Sequence, residues 1–192
     1  MSYIPTPEQA RELVAQYNSE PFHLEHAETV SKVLGVFAAE FDPGMEDYWR
    51  TVGMLHDIDF ERWPDQHCTK AAELLAGLDV DESVIRAVVS HGYGLCSDVA
   101  PERYMEKVLY TIDELTGLIN ACAIMRPSHS VMDMELKSVK KKYKQSSFAA
   151  GVNRAVIEDG CRRMEAPLDE VISETLAGMR EVADAIGLGM AE

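Results

Sequence analysis

The apolar residues of this chain recur at three- and four-residue spacing along most of its length, which is typical of amphipathic helices. In the C-terminal stretch such a stripe runs from Leu168 to Ile186, and Gly187 follows it as a C-terminal stop. Near the N-terminus, Thr6-Pro7-Glu8-Gln9 has the residues of a capping box with proline at the first helical position. No segment shows the apolar–polar alternation of a strand. We therefore expect an all-α fold.

Breaks and caps divide the chain into further helices. The second is expected to stop before Asp42-Pro43-Gly44, and a long one should end at Arg126-Pro127-Ser128. Asp81 and Asn153 are expected to cap two others. The remaining predicted helices cover about 45–56, 71–77, 102–125 and the lysine-rich stretch 135–144.

The chain carries no signal for a membrane or for export. It lacks a run of about 18 apolar residues, and its N-terminus lacks a basic start followed by an apolar run. We expect a cytoplasmic protein without a membrane partner. The cysteines at 68, 96, 122 and 161 are scattered, so we expect reduced thiols. Cys68 beside His67 could be a metal ligand, although a lone thiol is more often structural.

The net charge of −15 disfavours non-specific binding to nucleic acid, because an acidic surface repels phosphate. Basic residues nevertheless predominate between positions 126 and 163. The lysines at 137, 140, 141 and 144 would share one helix face, which is either a solvated surface, the partner of an acidic helix or a site for an anion. The candidates for binding a phosphorylated small molecule are Lys137, Lys141, Arg126 and Arg154.

Several ionisable residues occupy positions where helical periodicity calls for an apolar one. His26 lies four residues before Val30, Asp113 lies four residues after Leu109, and His56-Asp57 follows a predicted helix. A buried carboxylate needs a cation, hydrogen bonds or a metal. Taken singly, each residue also fits a hydrogen-bonded core position or a cap, and spacing does not choose between His23 and His26. Together they form a set of nitrogen and oxygen donors suited to Fe, Mn, Zn, Co or Ni.

The order of these residues is recognisable. The segments HAETVSKVL, GMLHDID, HCTKAAELL, VVSHG and YTIDELTGLI succeed one another between about 20 and 125. In this order the chain resembles the HD superfamily of metal-dependent phosphohydrolases, in particular bacterial HD-domain proteins of this length. The resemblance implies an HD-domain-like orthogonal helical bundle, one domain over 1–192, with a metal-binding core at 20–125 and C-terminal helices at 126–192. It also implies one or two divalent transition-metal ions, held by His26, His56, Asp57, His67, His91 and Asp113, with Asp57 bridging both.

The function implied by the resemblance is hydrolysis of a phosphoester or phosphoanhydride bond in a nucleotide or another small phosphorylated compound, with Asp57 and His56 as catalytic residues. After Ile58 this chain has Asp59 and Phe60 instead of the Gly-Lys of the H-D-I-G-K version, so the substrate-binding lysine is absent, which weakens any transfer of cyclic-dinucleotide activity. Asp59 and Glu61 could serve as an acid or as groups that orient a metal ligand, but surface carboxylates are the commoner case and the one we expect. The alternatives are a di-iron oxygenase of HD fold and a non-catalytic nucleotide-binding or scaffold protein. A homodimer is compatible with the sequence.

Overall fold

The computed structural model describes residues 2–190 of the chain. In that part of the chain the structure is helical, and two isolated β-bridges are its only extended pairing. The all-α prediction is therefore confirmed. The α-helices are α1 (Pro7–Tyr17), α2 (Pro21–Phe41), α3 (Glu46–Leu55), α4 (Thr69–Gly77), α5 (Glu82–Ser90), α6 (Tyr104–Ile124), α7 (Leu136–Tyr143), α8 (Arg154–Met164) and α9 (Leu168–Glu181), with 3-10 turns at Pro64–Gln66 and Ala183–Ile186.

The predicted helix starts are confirmed by their hydrogen bonds. The Thr6 hydroxyl accepts from the Gln9 amide, and the Gln9 side chain accepts from the Thr6 amide, which completes the capping box of α1. The Asp81 carboxylate accepts from the Ser83 amide at the start of α5. Asn153 caps α8 in the same way. These short-range contacts depend on neighbouring residues alone, so the sequence pattern was sufficient to predict them.

The C-terminal helix is shorter than its apolar stripe predicts. The α-helical part ends at Glu181, and the stripe continues through a 3-10 turn to Ile186. Gly187 then adopts a φ of 72°, a left-handed conformation that favours glycine, as expected for a C-terminal stop. A tightened last turn is a common way to end a helix, and apolar spacing does not reveal it.

The chain forms two compact units, one ending at Tyr110 and the other beginning at Thr111. In the first unit α3 packs against α1, α2 and α5, and α4 packs against α5. The residues of α3 from Thr51 to Leu55 are buried, as is Leu34 of α2. The centre of this unit is thus α3, and the chain leaves α3 directly into the His56-Asp57 pair.

In the second unit α9 packs against α7 and α8. The Lys140 ammonium on α7 lies 2.5 Å from the Asp169 carboxylate on α9, so one lysine of the basic stretch faces an acidic partner helix. Within residues 2–190, no helix is both long and apolar enough to cross a membrane. The expected single domain with a core at 20–125 stays a prediction.

Candidate metal centre

Four histidines from four elements of the first unit lie together. His26 is in the second turn of α2, His56 directly follows α3, His67 precedes α4, and His91 directly follows α5. The packing of α3 against α2 and α5, and of α4 against α5, brings these four positions close although the first and the last lie 65 positions apart in the sequence. The site is therefore a product of tertiary packing, assembled mainly at helix ends.

The ring nitrogens form two pairs around one carboxylate. The Nε2 atoms of His26 and His56 are 3.2 Å apart, and those of His67 and His91 are 3.0 Å apart. Asp57 lies between the pairs. Its Oδ2 is 3.8 Å from His26 Nε2 and 3.4 Å from His56 Nε2. Its Oδ1 is 3.4 Å from the Nε2 atoms of both His67 and His91.

In three of these rings the other nitrogen, Nδ1, donates a hydrogen bond to an oxygen of the protein. His56 Nδ1 donates to the Gly53 carbonyl at 2.7 Å, and His91 Nδ1 donates to the Val88 carbonyl at 2.5 Å. His67 Nδ1 lies 2.7 Å from the Asp59 carboxylate. Because carbonyls and carboxylates only accept, the Nδ1 atoms carry protons, and in the neutral rings Nε2 carries the lone pair. These are the outer contacts by which proteins orient metal-binding histidines.

When the rings of His67 and His91 are neutral and their protons are on Nδ1, the lone pairs of their Nε2 atoms point at each other. Between His67 and His91 this occurs at 3.0 Å, which is repulsive unless a proton or a metal ion lies near both nitrogens. Metal–nitrogen bonds of about 2.0–2.1 Å place neighbouring nitrogen ligands of one ion about 2.9–3.4 Å apart. Both observed nitrogen pairs fall within that range. The donor set therefore fits a transition-metal ion at each histidine pair, with one oxygen of Asp57 beside each.

The protonation of the centre follows from its charges. Burial acts to raise the pKa of Asp57, but the positive charge and hydrogen bond of His56, joined by those of His91, lower that pKa well below its usual range. For His67, burial lowers the pKa, whereas the Asp59 hydrogen bond and the charge of Asp57 raise it, and the net direction is upward. Asp57 is thus an anion, and His67 takes up a proton more readily than an isolated histidine does.

Asp59 has the supporting role that the sequence analysis considered but did not expect. The expectation of a surface carboxylate was wrong, because the Asp59 side chain is fully buried. One of its oxygens holds His67 Nδ1, and the other accepts from the Ala71 amide in the first turn of α4 at 2.8 Å. Asp59 therefore positions both the ring of His67 and the helix that follows. The available signal was the position of an acidic residue two residues after the His-Asp pair.

Glu61 has a different function. Its carboxylate accepts from the amides of Ser19 and Glu20 and from the Ser19 hydroxyl, just before α2. It thus ties the turn after α3 to the start of α2, the helix that carries His26. Glu61 is a supporting residue of the fold that carries the site.

Of His23 and His26, between which spacing did not choose, His26 is the one that lies in the nitrogen cluster. The ring of His23 lies against Phe22 and Phe60, outside the nitrogen cluster. Phe22 also stacks on His26, and Phe60 meets His67 edge to face. Both phenylalanines are exposed, at 67% and 40% of their surface. An aromatic rim therefore borders the solvent side of the centre.

Two cysteines lie next to the His67–His91 pair. Cys68 directly follows His67, and its Sγ is 3.0 Å from Cys96 Sγ. The hydrogen bond to Cys68 lowers the pKa of Cys96 to about 6, against the opposite effect of burial, and the same contact raises the pKa of Cys68. Cys68, His67 and His91 also place donor atoms close enough to share an ion.

The backbone at Cys68 is unusual. It has φ 66° and ψ −48°, and the Thr69 amide donates to the His67 carbonyl across it at 2.9 Å. This is a γ-turn with positive φ, a rare and strained conformation for a residue with a side chain, costing on the order of 1–3 kcal/mol. The strain is located at the residue that joins a site histidine to α4.

The other predicted site residues lie in the second unit. Asp113 is on α6 and is half-buried, and its place among the metal ligands stays a prediction. Arg126 pairs with Asp133, and exposed Lys137 pairs with Glu135, while Lys141 is also exposed. Their expected role in binding phosphate stays a prediction as well.

Arg154 is used extensively by the fold of the second unit. Its guanidinium donates to the Tyr143 carbonyl at the end of α7 at 2.7 Å and to the Phe148 carbonyl in the turn before α8 at 2.7 Å. A guanidinium presents five N–H donors in a fixed plane, which suits this bracing of a turn. Arg154 thus holds the connection between α7 and α8, and a contact with phosphate stays a prediction.

Comparison with known proteins gives one pointer to function. No family model and no solved structure matches the chain. The tRNA (cytidine(56)-2'-O)-methyltransferase of Picrophilus torridus is 26% identical over 169 residues, which cover 79% of this chain and 49% of that protein. The chain thus spans about half the length of the curated relative it matches.

This finding contradicts the expected membership in the HD phosphohydrolases. The relative is named for methyl transfer to a tRNA ribose oxygen, which is a different reaction from phosphoester hydrolysis, and no family model supports the expected family. The phosphohydrolase assignment, the hydrolase function and the enzyme class derived from it are therefore not kept. The motif order that led to them remains a fact of the sequence, and the structure brings four of its histidines together around Asp57.

Proposed function

We propose that the chain is a metal-binding protein, in which Asp57 bridges two divalent transition-metal ions held by the His26–His56 and His67–His91 pairs. The observation that carries this proposal is the convergence of four imidazole Nε2 atoms on the two oxygens of one carboxylate. Metal ions would supply the positive charge that these facing lone pairs require, and a bound ion would act as a Lewis acid toward an oxygen ligand. A cytoplasmic location is part of this proposal.

The exposure of the centre indicates that a small ligand can reach it. In each histidine pair, two imidazoles and one Asp57 oxygen would hold an ion, and the predicted ligand Asp113 and the nearby Cys68 could add to them. The side chains of His26 and Asp57 are 19% and 18% exposed, so the centre is reached from solvent on that side. A small oxygen-donor ligand could therefore approach the centre beside Phe22, on the exposed rim.

Metal titration of the purified chain tests the proposal. Protein freed of metal with a chelator is titrated with Mn²⁺, Co²⁺ and Zn²⁺ by calorimetry, and bound metal is counted by elemental analysis. We expect two ions per chain. Asp57→Asn should lower the affinity for both ions, because the bridge contributes to both. Asp65→Asn, an exposed carboxylate in the 3-10 turn before His67, is the matched control and should bind like the wild type.

The visible spectrum of the Co²⁺ form adds an independent readout. Absorption bands of imidazole- and carboxylate-bound Co²⁺ should appear in the wild type and be weaker in His56→Gln, which should bind one ion fewer. Wild-type protein that binds no ion, or Asp57→Asn that binds two ions with unchanged affinity, would refute the metal centre.

A second candidate function is a part in RNA methylation. The similarity to the methyltransferase named above favours it, although the chain matches only half of that protein. We would test it by mixing the chain with tRNA transcripts and S-adenosylmethionine labelled at the methyl group. Incorporation of the label into RNA that stops when cytidine 56 of the transcript is replaced would support this candidate. The absence of both RNA binding and incorporation would exclude it for this chain.

A further inference from the structure

Cys68 and Cys96 form a thiol pair that the metal centre does not require. They are 28 residues apart in sequence, yet their sulfurs lie 3.0 Å apart. Cys68 is buried and Cys96 is partly exposed. The contact joins the residue before α4 to the loop after α5, the two elements that hold His67 and His91.

The sulfur–sulfur distance distinguishes two uses of such a pair. Two thiolates bound to one tetrahedral zinc ion, with Zn–S bonds of about 2.3 Å, would lie about 3.8 Å apart. A disulfide has a bond of about 2.05 Å. The observed 3.0 Å is shorter than a shared zinc ion allows and needs a further approach of about 1 Å to become a bond. The geometry therefore favours a redox pair.

Two backbone features keep the sulfurs together. Gly92 lies beside both sulfurs, and a Cβ at this position would collide with the Sγ atoms of Cys68 and Cys96. The absence of a side chain at 92 is thus what leaves room for the pair. The strained γ-turn at Cys68 is the second feature, because it sets the direction in which this side chain leaves the backbone.

We propose that Cys68 and Cys96 are an oxidation site that closes reversibly to a disulfide in response to a peroxide. The more exposed Cys96 attacks one oxygen of the peroxide, the O–O bond breaks, and water (or an alcohol) leaves as Cys96 becomes a sulfenic acid. The Cys68 sulfur then attacks the Cys96 sulfur, the S–S bond forms, and a second water leaves. Two thiols and one hydrogen peroxide thus give one disulfide and two waters. A small dithiol reverses the reaction by thiol–disulfide exchange.

Closure of the disulfide would change the metal centre. Cys68 is bonded directly to His67 in the chain, and Cys96 follows His91 by five residues, so drawing the sulfurs together shifts both rings of the second histidine pair. Metal sites respond strongly to such shifts in ligand orientation. We expect oxidation to lower the affinity at the His67–His91 pair at least tenfold. This consequence rests on the proposed metal centre, whereas the disulfide itself does not.

The experiment separates these two statements by measuring thiols and metal independently. Metal-free, fully reduced protein is treated with a small excess of hydrogen peroxide, and free thiols are counted after denaturation. We expect the count to fall from four to two, with peptide mapping showing a Cys68–Cys96 link that dithiothreitol reverses. Cys96→Ser has three thiols and should retain all three after the treatment. Cys122→Ser changes a cysteine of the second unit and should still form the Cys68–Cys96 disulfide. Circular dichroism confirms that each variant is folded, with Cys96→Ala as the replacement if the serine variant is not.

Metal titration of the oxidised and re-reduced forms completes the test. The proposal is overturned if wild-type protein retains four thiols, or if peptide mapping shows a different pairing. It is also overturned if reduced Cys96→Ser or Cys96→Ala loses a metal ion, because the thiols would then be ligands. If the disulfide forms but the protein binds no metal in either state, the metal centre fails and the oxidation site stands.

Discussion

The Asp59 carboxylate accepts two hydrogen bonds in a fully buried position, one from the ring of His67 and one from the amide of Ala71. A buried anion of this kind fixes the ring orientation and the tautomer, and it raises the basicity of the nitrogen on the far side of the ring. His67 Nε2 is that nitrogen, and it faces His91 and Asp57. At the scale of single residues, the centre thus depends on a group that does not itself face it.

Replacement of Asp59 by asparagine should weaken metal binding. Asparagine removes the negative charge. It also has a single accepting oxygen, so it cannot accept the hydrogen bonds of both His67 and the Ala71 amide through separate oxygens. We expect Asp59→Asn to lower metal affinity about 10- to 100-fold, measured by competition with a chromophoric chelator. Asp65→Asn is the control and should leave the affinity unchanged. Equal affinities in the two variants would show that Asp59 does not support the site.

The metal-free protein should become less stable as the pH rises above neutrality. The folded-state pKa of His67 is raised, so its contribution to stability is present below the unfolded pKa of about 6.5 and is lost as pH rises through the folded pKa. Urea unfolding in chelator from pH 6 to 9 would show this decline. In His67→Gln the decline should be smaller. An identical pH dependence in both proteins would contradict the assignment to His67.

At the scale of elements, the close packing of α3 against α2 determines where His56 lies. Gly53 is the contact point, since a Cβ at this position would lie 2.7 Å from Leu34 Cδ1 and 2.9 Å from the Ser31 backbone. The Gly53 carbonyl also accepts from His56 Nδ1. A change in the spacing of the two helices therefore affects both the core and the orientation of a site histidine.

Gly53→Ala should destabilise the protein by about 1–3 kcal/mol, because extra volume in a packed core forces backbone or rotamer shifts. The midpoint of urea unfolding at constant slope measures this change. Gly77→Ala, at the end of α4, is the control, because a Cβ there would meet no heavy atom within 4 Å. Its effect should be close to zero or stabilising. If Gly53→Ala is as stable as the control, then α2 and α3 can move apart enough to accommodate a methyl group without a loss of folding free energy.

At the scale of the whole molecule, metal binding and folding should be coupled. A ligand that binds only the folded state stabilises it by about 2.7 kcal/mol when its free concentration is 100 times its Kd. For a chain of this size that corresponds to a rise in Tm of about 5–11 °C. Differential scanning calorimetry with Co²⁺ or Zn²⁺ should show this rise, and a chelator should reverse it. Asp57→Asn at the same metal concentration should show a smaller rise, and an equal rise would place the ions elsewhere.

Much of the helical architecture could be predicted from the sequence, because periodicity, caps and breaks act over a few residues. Thr6, Asp81 and Asn153 cap the helices that their positions suggested. The candidate ligands were also identified from sequence, by their order along the chain. The assignment to a phosphohydrolase went further than this order allowed, and the comparison with a tRNA methyltransferase contradicted it.

The sequence by itself thus determined the all-α class, the positions of most helix ends, and the residue types able to bind a metal. Only the tertiary structure decided which of those residues meet. It placed His26 against His56, buried Asp59 behind His67, and brought Cys68 against Cys96. The physical reason is distance in sequence. A helix cap involves residues that are close in the chain, whereas these contacts depend on how α2 to α5 pack, and that packing is determined by the burial of many side chains together.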